Sequence, residues 1–162
     1  NGDVARKTIR LTGLPRFSAA ALLLGYFWLT AGALIWLIGG IPSSFGAYDA
    51  AVHTVFLGFA ISMVIAHAPV ILPAVIRRPL PYHPSLWVTL VVLQIGLILR
   101  VGLGDMLGLG FAWDVGIWIT VAALLLLPIT AIALVIKGNP RKPSGPGPTR
   151  GVARGAQPPR QP

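Results

Sequence analysis

Four apolar stretches dominate the hydropathy pattern of the chain, at residues 17–41, 50–76, 86–103 and 112–136. Each is close to the length that a tilted helix needs to cross a bilayer. The segments between them are short and rich in Pro, Ser and Gly, and no stretch alternates like a barrel strand. Backbone groups in lipid must find partners within their own segment. The pattern therefore predicts an all-α fold: an integral membrane four-helix bundle.

The composition leads to the same conclusion and excludes several function classes. Of the 162 residues, 55% are hydrophobic and 10% are charged, against about 25% charged in soluble domains. This excludes a soluble enzyme. The absence of cysteine excludes a disulfide framework, an iron–sulfur cluster and a thiolate metal site. No phosphate-binding loop, zinc-protease motif or nucleophile elbow occurs in the sequence, so we expect that the chain is not an independent enzyme.

The basic residues predict the orientation of the helices. Lys and Arg number four in residues 1–16, none in the first loop, two in the second, none in the third and six in residues 137–162. The positive-inside rule then places both termini in the cytoplasm, in a multi-pass protein of the cell (inner) membrane. Residues 1–16 form a basic N-terminal segment. Residues 137–162, rich in Pro, Gly and Arg, form a disordered tail that we expect to associate with anionic lipid rather than nucleic acid. Because the chain begins with Asn1, we expect a processed form or a fragment.

Two histidines, His53 and His67, lie in the second apolar stretch. Ionisable residues in membrane helices are expensive and tend to be functional. An α-helix separates positions fourteen residues apart by about 21 Å and returns them to within roughly 40° of one face. Neutral imidazole is a good ligand for haem or copper, and Thr54 and Ser62 could bond to a ring N–H. Alternatively, each histidine only hydrogen-bonds to a neighbouring helix.

The motif around His53 resembles that of the NnrS-like family, polytopic haem- and copper-associated membrane proteins linked to nitric oxide metabolism. It consists of His53-x4-Gly58-x4-Met63, Arg78-Pro79-Leu80 and Leu99-Arg100-Val101, within residues 47–105. A looser likeness extends to the second helix of subunit I of haem–copper oxidases. The resemblance implies haem binding and redox, electron-transfer, nitric oxide or oxygen chemistry, with His53 as axial ligand and His67 as a second-site ligand. Copper is a weaker implication.

The chain also departs from this family. NnrS-like proteins have about a dozen helices and further histidines, whereas this sequence predicts four helices and has three histidines, with His83 in a loop. His53 has no second histidine at its own depth, so bis-histidine ligation requires another chain. We therefore expect a homo-oligomer or a larger membrane complex. The competing hypothesis is a cofactor-free structural subunit of such a complex, and a weaker one is a small transporter or channel subunit.

Arg100 lies near the predicted outer end of the third helix. It could anchor haem propionates, which suit a bidentate guanidinium, or form an ion pair with Asp49, Asp105 or Asp114. For Gln94, six residues deeper, an interhelical hydrogen bond is expected.

Further residues of the stretches favour packing roles. Trp28 and Trp118 lie deep in their stretches and are predicted to be core residues. Pro69 and Pro73 should kink the second helix or end its regular part.

Overall fold

A computed structural model describes residues 11–77 and 82–137 of the chain. The predicted disordered tail beyond Lys137, most of the predicted N-terminal segment and the Arg78-Pro79-Leu80 motif lie outside the described residues.

The described part of the chain forms four helices and no strand, which confirms the predicted fold class. The helices are α1 (Leu14–Gly39), α2 (Phe45–Ile76), α3 (Ser85–Asp105) and α4 (Gly110–Lys137), and each is long and apolar enough to cross a membrane. The α2 helix starts five residues before the apolar stretch because the Ser44 hydroxyl caps it, accepting a hydrogen bond from the Ala47 N–H at 3.3 Å. It then continues through Pro69 and Pro73 to Ile76.

Successive helices run antiparallel, so the bundle has two distinct ends. Loops 40–44 and 106–109 close the hairpin end, where α2 begins and α3 ends. At the opposite termini end, α1 and α3 begin and α2 and α4 end. Two segments near the hairpin end are π-helical rather than α-helical, at Thr54–Ile61 in α2 and Ile98–Asp105 in α3. π-helical segments are rare in proteins, and those that occur are often found at functional sites.

Glycines set the close packing of α1 against α2. A Cβ on Gly58 would overlap the Trp28 side chain, and one on Gly32 would lie 2.7 Å from the Thr54 hydroxyl oxygen. Small residues let helix backbones approach closely in membranes, where lipid removes the usual hydrophobic drive for association. The two helices therefore form one tightly packed hairpin.

Glycines have the same role between α3 and α4. A Cβ on Gly116 would lie 2.6 Å from the Arg100 backbone nitrogen, and one on Gly104 would lie 2.8 Å from the Trp113 Cβ. This contact fixes the backbone at Arg100 against α4. The bundle thus consists of two glycine-packed hairpins, α1·α2 and α3·α4.

The two deep tryptophans have different environments. Trp28 is 5% exposed and belongs to the core, as predicted, together with Phe17, Ile65, Leu90 and Leu97. Trp118 is 74% exposed, so the prediction that it is a core residue was wrong. Position along the sequence gives the depth of a residue in a membrane helix but not its direction. The direction of Trp118 is set by Gly116 and Thr120, which occupy the face of α4 that packs on α3.

Candidate functional site

A polar cluster joins the two hairpins at the hairpin end of the bundle. We define it as Asp49 and His53 on α2, Arg100 and Asp105 on α3, and Trp113 on α4. The Arg100 Nη2 lies 3.1 Å from Asp49 Oδ2, and Arg100 Nε lies 3.2 Å from the same oxygen. A third contact, from Nη2 to Oδ1, is also 3.2 Å. The α2 and α3 helices are thus connected by a multidentate ion pair.

The ion pair is largely buried inside the bundle. The Arg100 and Asp49 side chains are only 14% and 11% exposed, and the Arg100 guanidinium carbon lies 5.3 Å from the centre of the Trp113 ring. The stacked arrangement is one that guanidinium groups favour. Of the three acidic partners considered for Arg100, the structure selects Asp49 for the ion pair.

His53 is oriented by the residue one helical turn before it. Its Nδ1 lies 2.8 Å from the Asp49 carbonyl oxygen and 3.2 Å from the Asp49 Oδ1 atom. Because both neighbours are acceptors, the neutral ring carries its proton on Nδ1 and keeps the lone pair on Nε2. Within the described residues Nε2 makes no hydrogen bond. A histidine held in this way by a carboxylate and a carbonyl has the arrangement of a metal-ligating histidine.

Asp105 brings a second carboxyl group to the cluster. It lies against Asp49, Arg100 and Trp113, and its Oδ2 atom is buried with no hydrogen-bond partner in the described residues. The sequence indicated Asp105 only as one of three possible partners for Arg100. The sequence feature that could have located the cluster is the spacing of four between Asp49 and His53, which places both side chains on one face of a helix.

The structure separates His67 from the cluster. His67 Nδ1 lies 2.8 Å from the Met63 carbonyl oxygen, and the side chain is exposed on the outer surface of α2. The expectation of a common face assumed α-helical geometry throughout, whereas the π-helical Thr54–Ile61 segment between the two histidines takes more residues per turn. His53 lies beside Asp49 in the polar cluster, whereas His67 is exposed.

His83 has a local role at the start of α3. Its Nδ1 accepts a hydrogen bond from the Ser85 backbone N–H at 3.1 Å and lies 3.0 Å from the Ser85 hydroxyl oxygen. These contacts belong to the first turn of α3, at the termini end. His83 is thus at the opposite end of the bundle from His53.

Gln94 forms the interhelical hydrogen bonds that the sequence predicted. The Trp28 indole N–H donates to Gln94 Oε1 at 2.6 Å, and Gln94 Nε2 donates to the Ser62 hydroxyl at 3.2 Å. This network connects α1, α2 and α3. Ser62 is therefore engaged with Gln94, and Thr54 donates to the Ala51 carbonyl oxygen at 2.9 Å, so neither bonds to a histidine ring.

An apolar cavity of about 700 Å³ lies between α1 and α3 in the same half of the bundle. Trp28, Thr54, Ile98 and Val101 are among its lining residues, but His53 is not. The polar groups of Trp28 and Thr54 are both engaged in the hydrogen bonds described above. The wall of the cavity, which lies beside the π-helical segments, is therefore apolar.

No group of three or more His, Cys, Asp or Glu side chains able to hold a metal ion occurs within residues 11–77 and 82–137. A copper ion held by several protein ligands of one chain is therefore not supported by the described residues. Haem has a smaller requirement, because the porphyrin supplies four nitrogen ligands and the protein one or two axial ones. The single oriented Nε2 of His53 is enough for an axial haem ligand but not for a copper site with several protein ligands.

Comparison with known proteins identifies one relationship. The model of a family described as "Domain of unknown function (DUF8744)" matches residues 1–136. No curated protein and no solved structure matches the chain.

Proposed function

This chain belongs to the DUF8744 family, described as a domain of unknown function, and we propose its function from the polar cluster. We propose that it is a haem-binding membrane protein in which His53 Nε2 is an axial ligand. The observation that carries the proposal is the contact of His53 Nδ1 with Asp49, which leaves Nε2 as the lone-pair atom. Asp49 is itself fixed by Arg100. The ring is therefore orientated in advance, which lowers the entropic cost of ligation.

A haem held by His53 would be tuned by the residues around the ligand. A haem beside Asp49 and Arg100 would have a nearby carboxylate that raises the basicity of its ligand, and such outer partners tune affinity and potential. Arg100 is shared with Asp49, so its proposed contact with a haem propionate would be made in addition to that ion pair. The His53, Gly58 and Met63 pattern that resembles NnrS-like proteins supports the same cofactor.

The second axial ligand would come from another chain. His67 faces away from the cluster, and His83 lies at the other end of the bundle. We therefore propose a homo-oligomer or a larger membrane complex, in which His67 serves a second site on the outer surface of α2. The class of function that the resemblance favours is haem-dependent redox or electron-transfer chemistry of the membrane, related to nitric oxide or oxygen.

The distribution of basic residues supports a topology with both termini in the cytoplasm. The polar cluster would then lie towards the outer face. The chain contains no cysteine, so a single Cys in loop 40–44, such as Ser43→Cys, can be labelled unambiguously. We expect a membrane-impermeant thiol reagent to label Ser43→Cys in intact cells, and protection of this position until the membrane is opened would contradict the topology.

A cofactor-free subunit of a larger complex is the second candidate. The observation that favours it is the contact of Arg100 with Asp49 and Trp113, which stabilises the bundle without any ligand. In that case His53 would only complete the hydrogen bonding of Asp49.

A visible spectrum decides between these candidates. We would purify the protein in mild detergent from cells supplied with haem, record the reduced-minus-oxidised difference spectrum and measure haem per chain as the pyridine haemochrome. We expect a haem signal that His53→Ala removes. His67→Ala is the matched control, because His67 makes the same carbonyl contact without a carboxylate neighbour, and we expect it to keep the haem of the His53 site. A folded, colourless wild-type protein, or an equal haem content in wild type and His53→Ala, would exclude His53 as the ligand.

A further inference from the structure

A second, smaller pocket lies at the termini end, far from the polar cluster. Its volume is about 340 Å³, and it lies between the start of α1 and the start of α3. Its lining residues are Thr12, Gly13, Arg16, Tyr82 and Trp87. The lining combines one cation, two hydroxyl groups and an aromatic surface, which differs from the hydrocarbon wall of the larger cavity.

The polar groups of this pocket are mainly hydrogen-bond donors. Arg16 presents a guanidinium, which pairs well with phosphate. The Tyr82 hydroxyl oxygen already accepts a hydrogen bond from the Trp87 indole N–H at 3.0 Å, so its own proton remains for a ligand. Thr12 contributes another hydroxyl group at the rim. This donor set fits an anion.

The aromatic side of the pocket is rigidly supported. Phe17 is completely buried, and its ring lies 5.4 Å from the Trp87 ring and 6.3 Å from the Tyr82 ring. Phe17 follows Arg16 directly, so this packing couples the start of α1 to the start of α3. The position of the Tyr82 hydroxyl is thus fixed by a ring contact and a hydrogen bond.

The charge distribution indicates which anion would reach the pocket. Twelve of the thirteen Lys and Arg residues belong to the N-terminal segment, to loop 77–84 or to the segment from Lys137 onwards. These segments all join the termini end. In the described residues the acidic side chains Asp49, Asp105 and Asp114 all lie in the hairpin half. A basic surface at the end of membrane helices, with Trp and Tyr beside it, is typical of contact with anionic lipid headgroups.

We propose that the pocket binds the phosphate group of an anionic phospholipid, with Arg16 as the main contact and Tyr82 and Thr12 as hydrogen-bond donors. Trp87 would lie against the glycerol and the upper acyl chain, as interfacial aromatic residues do. The site is independent of His53 and of haem. It would fix the depth and the tilt of α1 and α3 in the membrane.

Native mass spectrometry of the detergent-solubilised full chain tests this proposal. Phosphatidylglycerol and phosphatidylcholine would be titrated separately into wild type, Arg16→Gln, Arg77→Gln and Tyr82→Phe. Arg77 is the matched control, because it carries the same charge at the same end without lining the pocket. A hydrogen bond to a charged group contributes about 1.5–3 kcal/mol, so we expect phosphatidylglycerol to bind Arg16→Gln at least about tenfold more weakly. Arg77→Gln removes only the diffuse attraction of one basic residue, at most about 1 kcal/mol, so we expect a loss of no more than about fivefold for it.

Three results would overturn the proposal. Equal losses in Arg16→Gln and Arg77→Gln would mean a diffuse charge effect without a site. Equal retention of the two lipids by wild type would mean that headgroup charge is not recognised. Displacement of the bound lipid by inorganic phosphate at matched concentration would mean that the pocket takes free anions instead. Circular dichroism on each variant verifies the helix content, and Tyr82→Phe, which keeps the ring packing, is expected to show a smaller loss than Arg16→Gln.

Discussion

Asp49 and Arg100 lie 3.1 Å apart across the boundary between the two hairpins, and each is also fixed by its own hairpin. Asp49 bonds to His53 one turn later on α2, and Arg100 stacks on Trp113 of α4. The pair is therefore both a link between α1·α2 and α3·α4 and the support of the proposed ligand. These two roles can be separated by measurement.

Arg100→Leu should destabilise the bundle strongly. It leaves the Asp49 carboxylate without its cation and beside the Asp105 carboxyl group, and breaking a largely buried ion pair costs about 3–5 kcal/mol. Unfolding in detergent, followed by circular dichroism during titration with a denaturing detergent, measures the change. Arg100→Leu combined with Asp49→Leu should recover a large part of the loss, since an apolar pair of similar volume is often as stable. A double variant as unstable as the sum of the single variants would contradict this explanation.

Gln94→Leu should cost less, although it removes two buried hydrogen bonds. It leaves the Trp28 indole N–H and the Ser62 hydroxyl without the partners seen here. Hydrogen bonds between membrane helices contribute about 0.6 kcal/mol on average and up to about 1.7, so we expect a loss of about 1–2 kcal/mol. The same unfolding titration measures it. Thr30→Val is the control, because the exposed Thr30 hydroxyl bonds only within α1, and a loss as large as that of Gln94→Leu would show that the network has no special weight.

The sequence predicted the number of helices and the interhelical role of Gln94, since both depend on local composition and on the cost of polar groups in lipid. Which acidic residue pairs with Arg100 could not be predicted. That choice depends on the glycines at positions 104 and 116, which set the register of α3 against α4. The π-helical Thr54–Ile61 segment could not be predicted from the sequence either. No residue type specifies a π turn, and such a turn arises from packing. The direction of His67 depended on it.

Gly58→Ala should destabilise the α1·α2 hairpin. The added methyl group would overlap the Trp28 side chain, which is confined by its hydrogen bond to Gln94. Overpacking of this kind costs about 1–3 kcal/mol, measured again by the unfolding titration. Gly102→Ala is the matched control, because nothing lies within 4 Å of the added Cβ. It should be neutral or stabilising by up to about 1 kcal/mol, since Ala loses less backbone entropy than Gly in a helix. Equal effects of the two substitutions would contradict the packing of α1 against α2 described here.

Trp118 and Trp28 should report opposite surroundings in a bilayer. Trp118 is 74% exposed on an apolar helix, so brominated acyl chains can reach its ring, whereas Trp28 is 5% exposed and shielded by α2 and α3. With the protein reconstituted in brominated phosphatidylcholine, Trp118→Phe should lower the fraction of tryptophan emission that is quenched, because a quenchable emitter has been removed. Trp28→Phe should leave the quenched intensity unchanged and raise its fraction of the total. If Trp118→Phe raised the quenched fraction instead, α4 would present that face to protein, and the ring would be covered by a partner chain rather than by lipid.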